Sequence, residues 1–131
     1  MTEYQLVQSV KPFLKKDYEV YEEVRMFTRS IDIVLKKGNS LISIEFKLNN
    51  WKKAFEQISD YQIISDYSYL CIPNKNLHDS TIKKINELGI GLLIYDYKTN
   101  TLKESIAPKP SQYKIDCYKE YIMNKLENYL V

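Results

Sequence analysis

The stretch RSIDIVLKKGNSLISIEFK, residues 29–47, decides the fold. Two runs rich in β-branched residues flank Gly38-Asn39, a dipeptide suited to a two-residue turn of the primed type, so the stretch reads as an antiparallel hairpin in which Lys37 pairs with Ser40. Register then follows by counting outward from the turn. Because side chains alternate between faces, Ile31, Ile33 and Leu35 fall opposite Phe46, Ile44 and Ile42. That face is wholly apolar and is assigned to the core. On the other face Asp32 falls opposite Glu45, with Lys47 two residues further along. Facing Cβ atoms in such pairs lie about 4.5–5.5 Å apart, where like charges repel. A cationic group is therefore expected between the two carboxylates.

Hard divalent cations take carboxylate and carbonyl oxygens, and Mg²⁺ is commonly held by one or two carboxylates together with waters and substrate phosphate. Asp32 and Glu45 meet that demand, and the carbonyl of Phe46 offers a third oxygen. Lys47 is placed to orient a water or to offset charge developing on a phosphoryl group. The ordinary alternative is a half-exposed sheet whose outer face carries Asp, Glu and Lys. An isolated Glu-x-Lys is common by chance, but an Asp facing it across a hairpin with a clean apolar back is a far more specific pattern.

This hairpin resembles the metal-binding core of the PD-(D/E)xK nuclease superfamily, the restriction-endonuclease-like fold, through Asp32 and Glu45-Phe46-Lys47. Gln57 and Tyr61, in AFEQISDY, are similar to a Gln-x-x-x-Tyr pattern on the helix that follows the motif in RecB-like members. The resemblance spans roughly Val20 to Asp96; Ile31 stands where the proline of the family name would be. It implies a metal-dependent nuclease hydrolysing phosphodiester bonds, with DNA as the expected substrate. Asp32, Glu45 and the Phe46 carbonyl would hold Mg²⁺ or Mn²⁺, Lys47 would assist the attacking water, and Gln57 would support the site. Family members often add an acidic residue from the first helix; Glu3, Glu22 and Glu23 are the candidates, and the sequence does not choose among them.

Composition sets bounds. The chain of 131 residues, 44% hydrophobic and 27% charged, has the size and balance of one globular domain. A net charge of +2 excludes a general, strongly basic nucleic-acid binder. Any nucleic-acid contact must be local. Cys71 and Cys117 are the only cysteines and His78 the only histidine, too few for a four-ligand zinc site without scattered carboxylates. Two isolated cysteines suit free thiols in a reducing compartment. No leader-like or membrane-length apolar segment is read, so a soluble, cytoplasmic protein without a membrane partner is expected.

Around the hairpin, Thr2 and Gln5 form a capping box for a first helix bearing Leu6, Val7, Val10, Phe13 and Leu14, with a kink or early end at Pro12. Tyr18 to Phe27 alternates as a strand in which Glu22 breaks the pattern. Asn49 or Asn50 caps a helix with the stripe Trp51, Ala54, Phe55, Ile58 and Tyr61. Trp51 could stack a base but more often belongs to the core, and Lys52 and Lys53 in the first turn either attract an anion or are simply solvated. Tyr67 to Ile72 is a buried strand parallel to the hairpin's second arm. A helix capped by Asp79 or Ser80 and stopped by Gly89 follows, then the strand IGLLIYDY and a return strand from Leu102 to Ile106. The expected architecture is a central mixed β-sheet flanked by helices, an αβββαβ core over about residues 1–106. A C-terminal helix over about 111–130 carries the stripe Ile115, Tyr118, Ile122, Leu126 and Tyr129, which needs a covering surface: its own sheet, a dimer mate or another protein. A nuclease-like module that binds nucleic acid or protein without cleaving is the alternative function.

Overall fold

The computed structural model describes residues 1–129. Its elements are α1 (Glu3–Leu14), β1 (Glu19–Met26), β2 (Arg29–Lys37), β3 (Ser40–Phe46), α2 (Trp51–Tyr61), β4 (Tyr67–Pro73), α3 (Asp79–Leu88), β5 (Gly91–Asp96), β6 (Thr101–Ile106) and α4 (Asp116–Glu127). The six strands form one sheet in chain order. β3, β4 and β5 run parallel, and the remaining neighbours are antiparallel. This is the expected mixed sheet with its αβββαβ core.

Local chemistry accounts for the boundaries. Thr2 and Gln5 form the capping box, and α1 ends at Leu14, two residues beyond Pro12. Gly38, with φ of +60°, closes the hairpin, and Ile33 pairs with Ile44 and Leu35 with Ile42 as counted. Asn50 caps α2, and Gly89 ends α3 in the left-handed conformation. The cap of α3 differs from expectation. Its N-cap is His78, which makes no side-chain bond, and Asp79 lies in the first turn, where its charge complements the helix dipole.

Helices cover both faces of the sheet. On one side Leu6, Val10 and Leu14 of α1 pack with Val20, Ile33, Leu35, Ile42, Ile44 and Phe46. On the other, Ala54, Ile58 and Tyr61 of α2, Ile85 of α3 and Ile122 and Leu126 of α4 pack with Val24, Val34, Leu41, Leu70 and Ile72. Both faces of the central strands are therefore core. Ile31 departs from its expected place beside Ile33 and packs with the α2 layer. The cause is local: Glu23 has φ of +52°, and the paired ladder of β1 and β2 passes from Glu22–Ile33 to Val24–Ile31 without a Glu23–Asp32 pair. Side chains change faces at this break, and Asp32 sits in it.

The C-terminal helix is shorter than expected. Between Ser111 and Ile115 the chain spends its donors on the segment after α2: Ser111 N donates to Asp66 O (2.8 Å), Ser111 Oγ to Gln62 O (2.7 Å) and Ile115 N to Ile63 O (2.8 Å). A helix begun at Ser111 would need the Ile115 amide for the Ser111 carbonyl. Residue 130, the expected end, lies outside the described residues. Of the stripe, Ile122 and Leu126 are buried against the chain's own sheet, whereas Ile115 and Tyr118 are exposed.

Candidate metal centre

The site begins where the β2–β3 ladder ends. Counting by twos from the turn, a continued ladder would direct the amide of Phe46 to the carbonyl of Ile31. The paired register instead stops at Ile33–Ile44, and the Phe46 amide donates to Asp32 Oδ2 at 2.9 Å. Asp32 and Glu45 are thus not a ladder pair, as counting placed them. The strand break frees the Asp32 side chain to replace a backbone acceptor, and its carboxylate is fixed by that bond.

Glu45 and Lys47 are on β3 and just beyond it, with only 2% and 8% of their surfaces exposed. Lys47 Nζ lies 3.3 Å from Glu45 Oε2, and the hydroxyl of Tyr61, fully buried on α2, donates to Glu45 Oε1 at 2.8 Å. That depth excludes the half-exposed sheet face. Charged side chains are rarely buried unless paired or serving a site, because desolvating them is costly.

The three acidic candidates separate by geometry. Glu3 Oε1 is 3.9 Å from Lys47 Nζ. Glu22 is engaged by Lys11 and by Gln8 Nε2, and Glu23 accepts from Ser30 Oγ at 3.0 Å. All three line, with Asp32, a cleft of about 200 Å³ between the start of α1 and β1. Gln57 carries a buried side-chain oxygen with no hydrogen-bond partner. It is an acceptor waiting for a donor. Among the described residues no three His, Cys, Asp or Glu side chains converge closely enough to enclose an ion on their own. Two carboxylates and the Phe46 carbonyl are hard oxygen donors of the kind that Mg²⁺ takes together with waters.

Electrostatics agree with that donor set. Burial pushes the Glu45 carboxyl up to about 7, and the charge of Asp32 adds to this; the Tyr61 hydroxyl and Lys47 offset only part. Burial likewise raises Asp32 to about 6, with the Phe46 amide pulling it down and Glu23 pushing it up. Burial is the larger cause in both, and the partners present offset only part of it.

Other expectations resolve plainly. Trp51 is half-buried, and Lys75 sits 5.3 Å from its ring centroid while donating to Leu48 O, so that face of the ring is occupied. Lys52 and Lys53 are exposed, and the Lys53 amide is taken by the Asn50 cap. Cys71 is buried, Cys117 exposed, and both are free thiols. Among the described residues no helix is long and apolar enough to cross a membrane. The sequence placed Tyr61 in the apolar stripe and in the Gln-x-x-x-Tyr pattern, and its contact with Glu45 was not read from either. The available signal was its hydroxyl, which must find a partner when the ring is buried.

No protein-family model and no curated protein sequence matches the chain. Solved structures do resemble it. A protein of unknown function from Silicibacter pomeroyi superposes with a TM-score of 0.67 at 14% identity, covering 97% of this chain and 85% of the other. An XisH family protein from Nostoc punctiforme gives 0.60 at 20% identity over 77% and 98%. An fdxN element excision controlling factor protein from Anabaena variabilis gives 0.57 at 18% over 75% and 95%. At these identities the likeness speaks for fold alone: the chain is an α/β domain with a six-stranded mixed sheet, and its neighbours are compatible with a restriction-endonuclease-like fold.

Proposed function

We propose that the protein is a metal-dependent nuclease acting on DNA, with its centre at Asp32, Glu45 and Lys47. The observation that carries this reading is the burial of Glu45 and Lys47 beside Asp32, with both carboxyls raised by that burial. Mg²⁺ or Mn²⁺ on Asp32, Glu45 and the Phe46 carbonyl would supply Lewis-acid stabilisation of phosphoryl charge and activation of water. The chain's own residues do the positioning. Phe46 N holds Asp32, and Tyr61 holds one oxygen of Glu45 while Lys47 holds the other. Lys47 keeps further N–H donors for a water or a phosphoryl oxygen. Gln57 offers its unpartnered oxygen to an ordered water or a substrate donor, and Glu3 reaches Lys47 from α1. The description of one fold neighbour as a factor controlling element excision favours DNA as the first substrate to try.

Supercoiled, linear, single-stranded and branched DNA, each with Mg²⁺, Mn²⁺ or EDTA, provide the test. Cleavage by wild type in metal, reduced on the order of 10³-fold in Asp32→Ala and in Lys47→Ala, supports the assignment. Cleavage surviving in both variants would place the activity elsewhere. A second reading is a DNA-binding protein that does not cut, since among the described residues no three His, Cys, Asp or Glu side chains converge. Salt-sensitive binding retained by Asp32→Ala, with no cleavage by wild type, would select it.

A further inference from the structure

β1 and β2 are joined by a two-residue turn, Phe27-Thr28, closed by the Met26–Arg29 pair. Phe27 has φ of +53°, a left-handed conformation that Gly or Asn adopts readily and a bulky aromatic residue does not. It also leaves 54% of its surface in solvent. Neither turn chemistry nor core packing accounts for a phenylalanine at this position.

The ring is part of a cluster. Tyr118 stands edge-on to it at 5.4 Å between centroids, and Tyr121 stacks on it at 6.1 Å with 6° between planes. Tyr118 and Tyr121 are themselves 40% and 51% exposed. Residues 118, 121 and 125 follow one another along one face of α4. Lys125 lies 5.7 Å from the Tyr121 centroid and donates to the carbonyl of Arg25, whose side chain is exposed. Arg29 follows directly after the turn, donates through Nε to Asp60 and keeps 38% of its side chain in solvent. The acidic residues of α4, Asp116, Glu120 and Glu127, line a different groove, beside Asn39 at the β2–β3 turn.

We propose that Phe27, Tyr118 and Tyr121 form a stacking platform for the bases of an unpaired DNA strand, whose phosphates pass Arg25, Arg29 and Lys125. The proposal rests on the nuclease reading above and narrows its substrate to DNA with a single-stranded segment. Exposed aromatic faces interleaved with cations are what an unpaired strand requires, since every base offers a face to stack and every phosphate a charge. A paired duplex hides those base faces. The rim of the patch carries Arg25, Lys125 and Arg29, the last shared with Asp60, which suits a polyanion better than the apolar core of a protein interface. Phe27 lies five residues before Asp32, roughly 16 Å along an extended strand, so the platform would hold the strand within a few nucleotides of the carboxylates.

Fluorescence anisotropy of a labelled single strand and of a blunt duplex, in EDTA so that nothing is cut, tests the platform. The variants are Phe27→Asn, which suits the left-handed turn and should melt no lower than wild type, and Tyr121→Ser on the exposed helix face. Each should weaken single-strand binding roughly ten-fold while leaving duplex binding unchanged, and Phe27→Trp should retain binding. Unchanged single-strand affinity in both variants overturns the proposal. So does a wild-type dimer that light scattering shows to be monomeric in Phe27→Asn with strand affinity intact, which would assign the patch to a second copy of the chain. Cleavage is read separately. Loss of strand binding in the variants supports the platform even if wild type cuts nothing, and wild-type cleavage with variant affinities unchanged leaves the nuclease reading standing without it.

Discussion

Two carboxylate clusters sit at opposite ends of β3, built from the same kinds of residue and balanced in opposite ways. At the start of the strand, Asp66 accepts from the Leu41 amide at 2.8 Å and meets Lys114 at 2.7 Å and Lys119 at 2.9 Å. Burial alone would raise its carboxyl, but these partners more than offset it and hold the group below the usual range. At the end of the strand, Glu45 and Asp32 share Lys47, and burial together with their mutual repulsion leaves both carboxyls raised. One cluster is a closed account of charges that staples the segment before α4 to the sheet. On the function proposed above, the other takes a cation. Buried charge by itself does not mark a site; buried charge that its neighbours leave unbalanced does.

Breaking the balanced cluster should have the largest effect on stability. Asp66→Ala strands two lysines and the Leu41 amide, and urea unfolding should show a loss of about 3 kcal/mol. Metal-dependent behaviour should survive in that variant. Tyr61→Phe should do the reverse, leaving the Asp66 staple untouched while releasing Glu45 Oε1. Loss of such a second-layer partner typically costs 10–100-fold in metal affinity, measurable by calorimetry with Mn²⁺. Unchanged affinity would show that the Tyr61 hydroxyl serves packing alone.

Smaller but opposite in sign are the effects of pH. Asp66, with a lowered pKa, contributes stability that is complete above about pH 4 and is lost as acid protonates it. Asp32 and Glu45, with raised pKa values, contribute stability that is complete below about pH 4. It is lost as pH rises through about 6 and about 7, where the buried carboxylates ionise. Asp32→Asn keeps an acceptor for the Phe46 amide and removes one of the two charges, so the metal-free variant should gain about 1 kcal/mol at pH 8 and lose the part of the slope near pH 6, while buried Glu45 keeps a slope near pH 7. A melting-temperature profile of the metal-free protein between pH 4 and 8 checks both limbs.

Much of this was legible from residues 29–47. The turn at Gly38, the pairing of Ile33 with Ile44 and the parallel placement of β4 all follow from alternation and connection length. The Lys47–Glu45 contact was legible too, since both lie on one face of one strand. Counting could not reveal the break at Glu23 and Asp32, because a left-handed Glu leaves no mark on the apolar pattern. It moved Ile31 to the other layer and gave Asp32 a backbone donor in place of a facing carboxylate. The Asp66 staple was hidden for a different reason: its partners Lys114 and Lys119 lie about fifty residues away in sequence, beyond the reach of any local periodicity. Glu3 emerged from Glu3, Glu22 and Glu23 as the acid nearest Lys47 only when α1 was set against the sheet.

The claim that the second cluster takes a cation is tested most directly by titrating Mn²⁺ into the metal-free protein by calorimetry at pH 6 and pH 8, with Asp32→Asn alongside. Saturable binding is expected, tightening between pH 6 and pH 8 as the carboxylates lose their protons. A stabilisation of about 2.7 kcal/mol at one hundred times the dissociation constant is expected with it, both sharply weakened in the variant. Binding absent at both pH values, or equally tight in Asp32→Asn, would contradict the claim.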